Sequence, residues 1–530
     1  MGEGADHRIT RRRALGAAAT GAAGISVAGL TNHAALARES RVPVARDGSF
    51  EWGVSSGLPQ TNAIVLWTRV GGLDRSSKVL LEVAKDRGFS KVVERRKVTA
   101  RKGRDFTVHA VVRKLKPQRE YFYRFSTRES RSRIGRFRTL PPPDSNETIR
   151  IGFFSCQSYT AGFYNAHTGL AGEPDLDLVV CLGDYVYENA TYEGPRRDKT
   201  GNNGDGDVQL LDEWRQKYRL YQSDEQLQLM HANHPFVAVW DDHEVEDNYA
   251  GDMPSSAAEE GKTNPGEPRR VSLPERKANA YKAFFEAMPR RKIKRDPSRI
   301  YGQTRLGGMA DLFFLDERQY RDVQPCADRT LAPCGESDTP GRRMLGETQK
   351  TWLKDSLAAS GAKWKLLGNQ LMLMTFDLAP GAPVTVDSWD GYGAERRELG
   401  QHILDNGIKD VVALTGDIHT FFAGRMTTSG RIDGTPYGVE FVGGSISSLG
   451  VKETFQSAPG VEQLENAITA NNPHITYADF DARGYGVVTL SAAEAVCEFK
   501  APETALSENS PVGLLARLRV AAGTTDVERI

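Results

Sequence analysis

The sequence predicts an α/β protein in two parts, a small antiparallel β-sandwich of the immunoglobulin or fibronectin kind followed by a larger layered domain. Three observations predict it. The chain has 530 residues, more than one ordinary hydrophobic core accommodates. Between Val42 and Pro141 the runs NAIVLWTRV, KVLLEVAKD, DFTVHAVVRKL and EYFYRFSTR alternate apolar and polar residues at period two, separated by turn-like stretches. From Thr148 onward short apolar runs (IRIGFF, LDLVVCL, FVAVW, DLFFL, WKLLG, VVALT) alternate with helical patterns, which is the rhythm of an α/β domain and not of a second sandwich.

Taken in order, residues 1–37 read as an export signal. Arg11, Arg12 and Arg13 precede a weakly apolar Ala- and Gly-rich segment that ends at the small-residue site Ala35-Leu36-Ala37, and the paired arginines favour the twin-arginine translocase. The segment is short and Gly-rich for a membrane anchor. The sandwich then occupies 42–141, LPPPDSNE forms a linker, and 148–505 forms the larger domain. DEWRQKYRLYQSDEQLQLMHA and RKANAYKAFFEAM are its clearest helices, Gly194–Asp207 and Gly251–Pro274 read as mobile loops, and 506–530 is expected to be a terminal helix or tail. Lys plus Arg equal Asp plus Glu at 69 each, so charge offers no argument for nucleic-acid binding. Of five cysteines, Cys326 and Cys334 are close enough in PCADRTLAPC to bridge, while Cys181 and Cys497 sit in apolar runs as small core residues.

The polar residues at the ends of the apolar runs carry the chemistry. IRIGFF ends in Ser155-Cys156-Gln157, and VVCL in Gly183-Asp184-Tyr185-Val186-Tyr187. FVAVW ends in Asp241-Asp242-His243-Glu244 and continues to Asn248; WKLLG ends in Asn369-Gln370, and VVALT in Gly416-Asp417-Ile418-His419. In an open α/β sheet the carboxyl ends of strands line the ligand crevice, so these groups are expected on one rim. Such a crowd of carboxylates needs cations to offset its repulsion. A thiolate from Cys156 and a phenolate from Tyr187 suit ferric iron; Asp184, Asp242, Asn248 and Asp417 supply hard oxygens suited to calcium or magnesium, with calcium favoured in an exported protein. His419 stands as a ligand or a second-sphere donor. The plainer alternatives are a packed rim aromatic for Tyr187, a helix cap for Asn248 and a satisfied hydrogen-bonding residue for His243.

The motifs FSCQ, GDYVYE, WDDHEVEDN, LDERQYRDVQPC, LGETQKTWL, GNQLMLM, WDGYGAER, TGDIH and NPHITYADFDARGYG together resemble the PhoD-like alkaline phosphatase family within the calcineurin-like metallophosphatases. The resemblance spans nearly everything after the signal. It implies a four-layer αββα metallophosphatase domain, one Fe3+ and two Ca2+, with Cys156, Asp184 and Tyr187 on iron, Asp184 bridging to calcium, and Asn248, Asp417 and His419 completing the cluster. Asp242 takes the place of the superfamily's bridging Asn. Asn369, Asn472 and His474 would line the substrate cleft, and His243 or His419 would protonate the leaving oxygen. The implied activity is that of a secreted phosphomonoesterase and phosphodiesterase working by attack of a metal-activated hydroxide or oxide on a small-molecule or lipid phosphoester. A phospholipase D-type phosphodiesterase is the nearer alternative, and a non-catalytic calcium-binding surface protein the distant one.

Overall fold

The computed structural model describes residues 43–530 except 191, 193, 264, 265, 329–332, 451, 452, 454–465 and 467. The expected export signal therefore lies outside the described residues. In chain order the strands are β1 (Val54–Gly57), β2 (Ala63–Arg69), β3 (Ser77–Ala84), β4 (Val92–Ala100), β5 (Thr107–Arg113), β6 (Glu120–Ser126), β7 (Gly135–Arg138), β8 (Ile149–Phe154), β9 (Leu178–Cys181) and β10 (Pro235–Ala238). Next come β11 (Gly302–Leu306), β12 (Ala310–Phe314), β13 (Trp364–Gly368), the small hairpin β14 (Asp377–Ala379) and β15 (Ala382–Pro383), β16 (Val411–Thr415), β17 (Phe421–Thr427) and β18 (Pro436–Val442). The last strands are β19 (Ile475–Asp479), β20 (Tyr485–Leu490), β21 (Glu494–Pro502), β22 (Val512–Ala521) and β23 (Glu528–Arg529). The principal helices are α1 (Asn165–Gly172), α2 (Leu211–Gln222), α3 (Glu225–Asn233), α4 (Leu273–Ala287), α5 (Gly346–Ala359) and α6 (Gly393–Asp405).

Two large sheets form the centre, one ordered β23-β22-β21-β20-β8-β9-β10-β1-β2-β5 and the other β11-β12-β13-β16-β18-β17-β19. Each has a parallel middle: β8, β9 and β10 in the first, β12, β13, β16 and β18 in the second. Such strands are covered on both sides, which is why LVVC is apolar throughout, VVALT is apolar up to its final Thr415, and both are buried at every position. Between the sheets, Phe499 of β21 meets Phe421 of β17 with ring centroids 4.8 Å apart. On the outer side of the first sheet Trp214, Tyr218 and Phe284 pack from α2 and α4. On the outer side of the second, Leu353, Leu357, Leu399 and Ile403 pack from α5 and α6 against Leu367 and Val411. The layers are helices, sheet, sheet, helices.

The amino-terminal sandwich shares its framework with this domain. A four-stranded sheet, β4-β3-β6-β7, packs Leu81, Val83, Tyr123 and Phe125 onto Ile64, Leu66, Val108 and Ala110 of β2 and β5. The β1-β2-β5 half is the end of the ten-stranded sheet, because β1 runs parallel to β10 with Gly57 opposite Phe236. A side chain at 57 would begin 2.5 Å from the Pro289 carbonyl and 2.7 Å from that of Phe236, so only glycine lets the strands meet.

Two expectations are corrected. The segment 506–530 is not helical: it forms β22 and β23, and along β22 Ala516, Leu518 and Val520 alternate inward at period two, which is the pattern of a strand. The long helix DEWRQKYRLYQSDEQLQLMHA breaks into α2 and α3 at Ser223-Asp224, where Asp224 caps the second helix by accepting the Gln226 and Leu227 N–H groups. Ion pairs connect both expected loop segments to the domain: fully buried Lys217 holds Asp198 and the Gly206 carbonyl, and Arg269 and Arg276 both hold Glu246.

Candidate metal centre

The parallel strands deliver their terminal residues to one rim through strained backbone. Cys156 follows β8, Asp184 follows β9, Asn248 lies in the segment after β10, and Asp417 and His419 follow β16; all five have positive φ, between 53° and 66°. Left-handed backbone is uncommon for non-glycine residues and clusters where function over-determines it. Gly183, at φ +122°, lies against the neighbouring strand end, where a Cβ would fall 2.4 Å from that of Asp241. Buried Glu244 ties the two strand ends together: its carboxylate accepts the backbone N–H of Asp184 at 3.1 Å, Tyr185 at 2.6 Å and Asp241 at 2.8 Å.

Three overlapping groups result, each with ligand atoms mutually within 4.8 Å: Cys156, Asp184 and His419; Asp184, Asp242 and His243; Asp241, Asp242 and Asp417. Tyr187 belongs to the first, since its hydroxyl donates to Asp184 Oδ2 at 3.2 Å and lies 3.2 Å from His419 Nε2. His419 Nδ1 lies 2.8 Å from the Leu449 carbonyl, which fixes the Nδ1–H tautomer and leaves the Nε2 lone pair facing the cluster. Ser448 Oγ supports Tyr187 at 2.7 Å. Asn248 accompanies the third group: its N–H donates to Asp242 Oδ2 at 2.7 Å, and one terminal amide atom lies 3.2 Å from Asp242 Oδ2 and 3.1 Å from Asp387 Oδ2. As nitrogen that atom donates to both carboxylates; as oxygen it makes an all-oxygen cradle that a cation would fill.

The electrostatics agree with cation binding. Burial and neighbouring carboxylates push Asp184 and Asp241 well above the usual carboxylate range, and burial pushes Asp417 up to about 7. Asp184 Oδ1 and Asp241 Oδ2 are buried without a hydrogen-bond partner. Burial raises Cys156 and Tyr187 as well, so only a bound Lewis acid would hold both deprotonated. Asp242 is held low, against burial, by Arg318 and His243. Burial pushes His419 down to about 4. His243 goes the other way: Glu188, Asp242 and Asp184 outweigh burial and keep it protonated. Its Nδ1–H donates to Glu188 at 2.7 Å, its ring stacks on Tyr187 at 4.2 Å, and its side chain is 15 % exposed. The rim opens there and at Asp417, whose side chain is 21 % exposed.

The donors fit a thiolate-phenolate-imidazole site beside two oxygen-rich ones. The three residues expected in the cleft are hydrogen-bonded within the fold. Asn472 binds the Asp377 N–H and carbonyl, His474 binds the Thr375 carbonyl, and Asn369 turns to the Leu371 carbonyl and Thr415. These bonds tie all three side chains to neighbouring backbone and to Thr415. Sequence reasoning missed Arg318, which is fully buried, pairs with Asp241 and Asp387, and reaches Asp242 at 3.3 Å and Asp417 at 3.4 Å. The signal was present, because DLFFL ends in Asp316-Glu317-Arg318 and obeys the same strand-end rule. Asp387 and Glu188 were missed because their roles depend on contacts distant in sequence.

The family model described as PhoD-like phosphatase matches residues 151–499, and that of the PhoD-like phosphatase N-terminal domain matches residues 35–141. The chain is 36 % identical over 466 residues to a Bacillus subtilis (strain 168) protein named alkaline phosphatase D, covering 83 % of this chain and 76 % of that one. A solved structure titled as that of PhoD superposes with a TM-score of 0.79 at 32 % identity, covering 91 % of this chain and 92 % of the other. The purple acid phosphatase PPD1 of yellow lupin superposes with a TM-score of 0.53 at 14 % identity, over 89 % of this chain and 75 % of the other, a likeness of fold.

Proposed function

The chain belongs to the PhoD-like phosphatase family, and from that premise we propose a working assignment of its rim. The protein is a phosphoric ester hydrolase, and the observation that carries its reading as a metal-dependent one is the convergence of three overlapping ligand groups on one rim. Cys156, Asp184, Tyr187 and His419 would hold one ferric ion. Asp184, Asp242, Asn248 and Asp417 would hold two calcium ions. When bound, these cations polarise the phosphoryl oxygens and offset the charge that grows on them in the transition state.

The chain's own residues supply the rest. His243 is the general acid: Glu188 engages its Nδ1–H, so the Nε2–H is the proton available to a departing alkoxide. His419 is unsuited to that step, since burial keeps it neutral at neutral and alkaline pH, and it serves as a nitrogen donor. Arg318 anchors Asp241 and Asp387 and limits the repulsion among the rim carboxylates.

Export by the twin-arginine route is part of the reading. Cys326 and Cys334 form a disulfide, which suits an oxidising compartment. No helix among the described residues is long and apolar enough to cross a membrane. Replacing Arg11, Arg12 and Arg13 by Lys should retain precursor inside the cell; unimpaired secretion would discount this route.

The deciding experiment measures bound iron and calcium together with rates on p-nitrophenyl phosphate, its bis-ester and phosphatidylcholine. Turnover of the first two, lost on EGTA treatment while iron stays bound and restored by calcium, is expected. A lipid-only profile would move the assignment to a phospholipase D-type enzyme, and no turnover on any substrate after metal reconstitution would remove the catalytic reading.

A further inference from the structure

At the far end of α4 from the rim lies a cleft of about 700 Å3 between the amino-terminal sandwich and the segment after the helix. α4 begins near the rim, where Arg276 pairs with Glu246, and runs 15 residues, about 22 Å at the helical rise, to Ala287. β5 lines one side with His109 and Val111, Arg104 closes an end, and Lys282, Arg290, Arg291, Lys292 and Lys294 supply the rest of its positive charge, with Arg290 turned to the Ala238 and Ile300 carbonyls.

Most of that charge has no carboxylate partner. Glu286 is the one carboxylate among the lining residues, and it is taken by Arg215 and Lys282. Among the described residues no carboxylate pairs with Arg104, Arg291, Lys292 or Lys294, all of which are exposed. Lys292 rests over the Phe285 ring, 4.7 Å from its centroid, which fixes its stem against the cleft wall. The ammonium of Lys292 is shifted down by partial burial and by Lys282 and Arg104. Cations held this close without counter-ions are a standing attraction for an anion.

From this geometry we infer that the cleft is a binding site for a linear polyanion of the polyphosphate type, distinct from the metal centre. Its cations come from three separate segments, before β5, on α4 and after α4, so a chain with repeated charges engages more of them than one phosphate can. The volume lies in the range that accepts an extended ligand (~300–1,000 Å3). The surface is concave, and Ile293 is its one exposed large apolar side chain, which suits a chain better than a lipid surface.

The test measures binding of long-chain inorganic polyphosphate, orthophosphate, dextran sulfate and phosphatidylglycerol vesicles to the holoenzyme on ice. The comparison protein carries Arg104→Ala, Arg291→Ala, Lys292→Ala and Lys294→Ala together. Hydrolysis of p-nitrophenyl phosphate, unchanged in the variant, shows that fold and metal centre are intact. Polyphosphate and dextran sulfate should bind more tightly than orthophosphate, weaken with salt, and lose at least tenfold in affinity in the variant with a shallower salt slope. Equal polyphosphate binding by the two proteins would overturn the inference. So would wild-type binding to vesicles without binding to either soluble polyanion, which would make the cleft a membrane contact.

Discussion

Tyr187 is the residue on which the proposed iron site turns, and its surroundings say what a substitution should do. The ring is stacked on His243 and the hydroxyl meets Asp184, His419 and Ser448. Tyr187→Phe keeps the ring and its packing volume, so the fold should survive while iron, its visible charge-transfer band and turnover are lost together. A variant with unchanged iron and rate would return Tyr187 to the status of a rim aromatic. Ser448→Ala removes the support for the phenolate and should lower iron affinity or kcat by about 10–100-fold. As the proposed general acid, His243 would govern the pH dependence. The Glu188 carboxylate favours its protonated form, so Glu188→Gln lowers the His243 pKa and leaves less of the acid at high pH. The alkaline limb of kcat/KM should move toward neutrality by about one to three units, and an unmoved limb would take the acid role from His243.

At the scale of elements, the rim was legible because parallel strands place their carboxyl ends together, so polar residues after Phe154, Leu182, Trp240 and Thr415 could be summed without knowing the fold in detail. Asp184, Asp242, His419 and Cys156 were found in that way. The cleft assignment of Asn472 and His474 had no such footing: they sit in a loop, and their partners at Thr375–Asp377 are nearly a hundred residues away. Helix and strand could be told apart where periodicity was clean, yet β22 was missed because VGLLARLRVA carries adjacent leucines that blur its alternation. The bracing of the strand ends, by contrast, leaves no local signal in the sequence. Glu244 holds three backbone N–H groups across β9 and β10, Glu317 holds those of Gln370 and Leu371, and Glu440 those of Leu373 and Met374. Glu244→Ala would orphan three N–H groups beside the proposed metal ligands. It should cost about 3 kcal/mol or more in urea unfolding and reduce bound metal; a loss below about 1 kcal/mol would mean that water replaces the carboxylate.

For the whole molecule, the consequential feature is that the amino-terminal sandwich and the catalytic layers share one sheet. The sequence places a Pro-rich linker at 140–147 and invites the view that two independent domains meet there. The strand pairing argues otherwise: β1 supplies β10 with its parallel neighbour, and Trp67 of β2 donates its indole N–H to the Glu286 carbonyl at 2.8 Å. Further across the joint, Arg69 and Arg219 both bind Asp105. A chain beginning at Thr148 would leave β10 as a bare edge, with the Pro235 and Phe236 positions unpaired and one flank of α4 open. Exposed apolar edges of this kind pair with other chains. The truncated protein is therefore expected to aggregate or to bind no metal, whereas co-expression with residues 42–141 should restore soluble, metal-loaded protein through the shared sheet. Size-exclusion chromatography, metal content and p-nitrophenyl phosphate turnover on the two preparations decide it. A monomeric, fully active fragment from Thr148 would show that β10 tolerates an open edge and that the sandwich is an appendage after all.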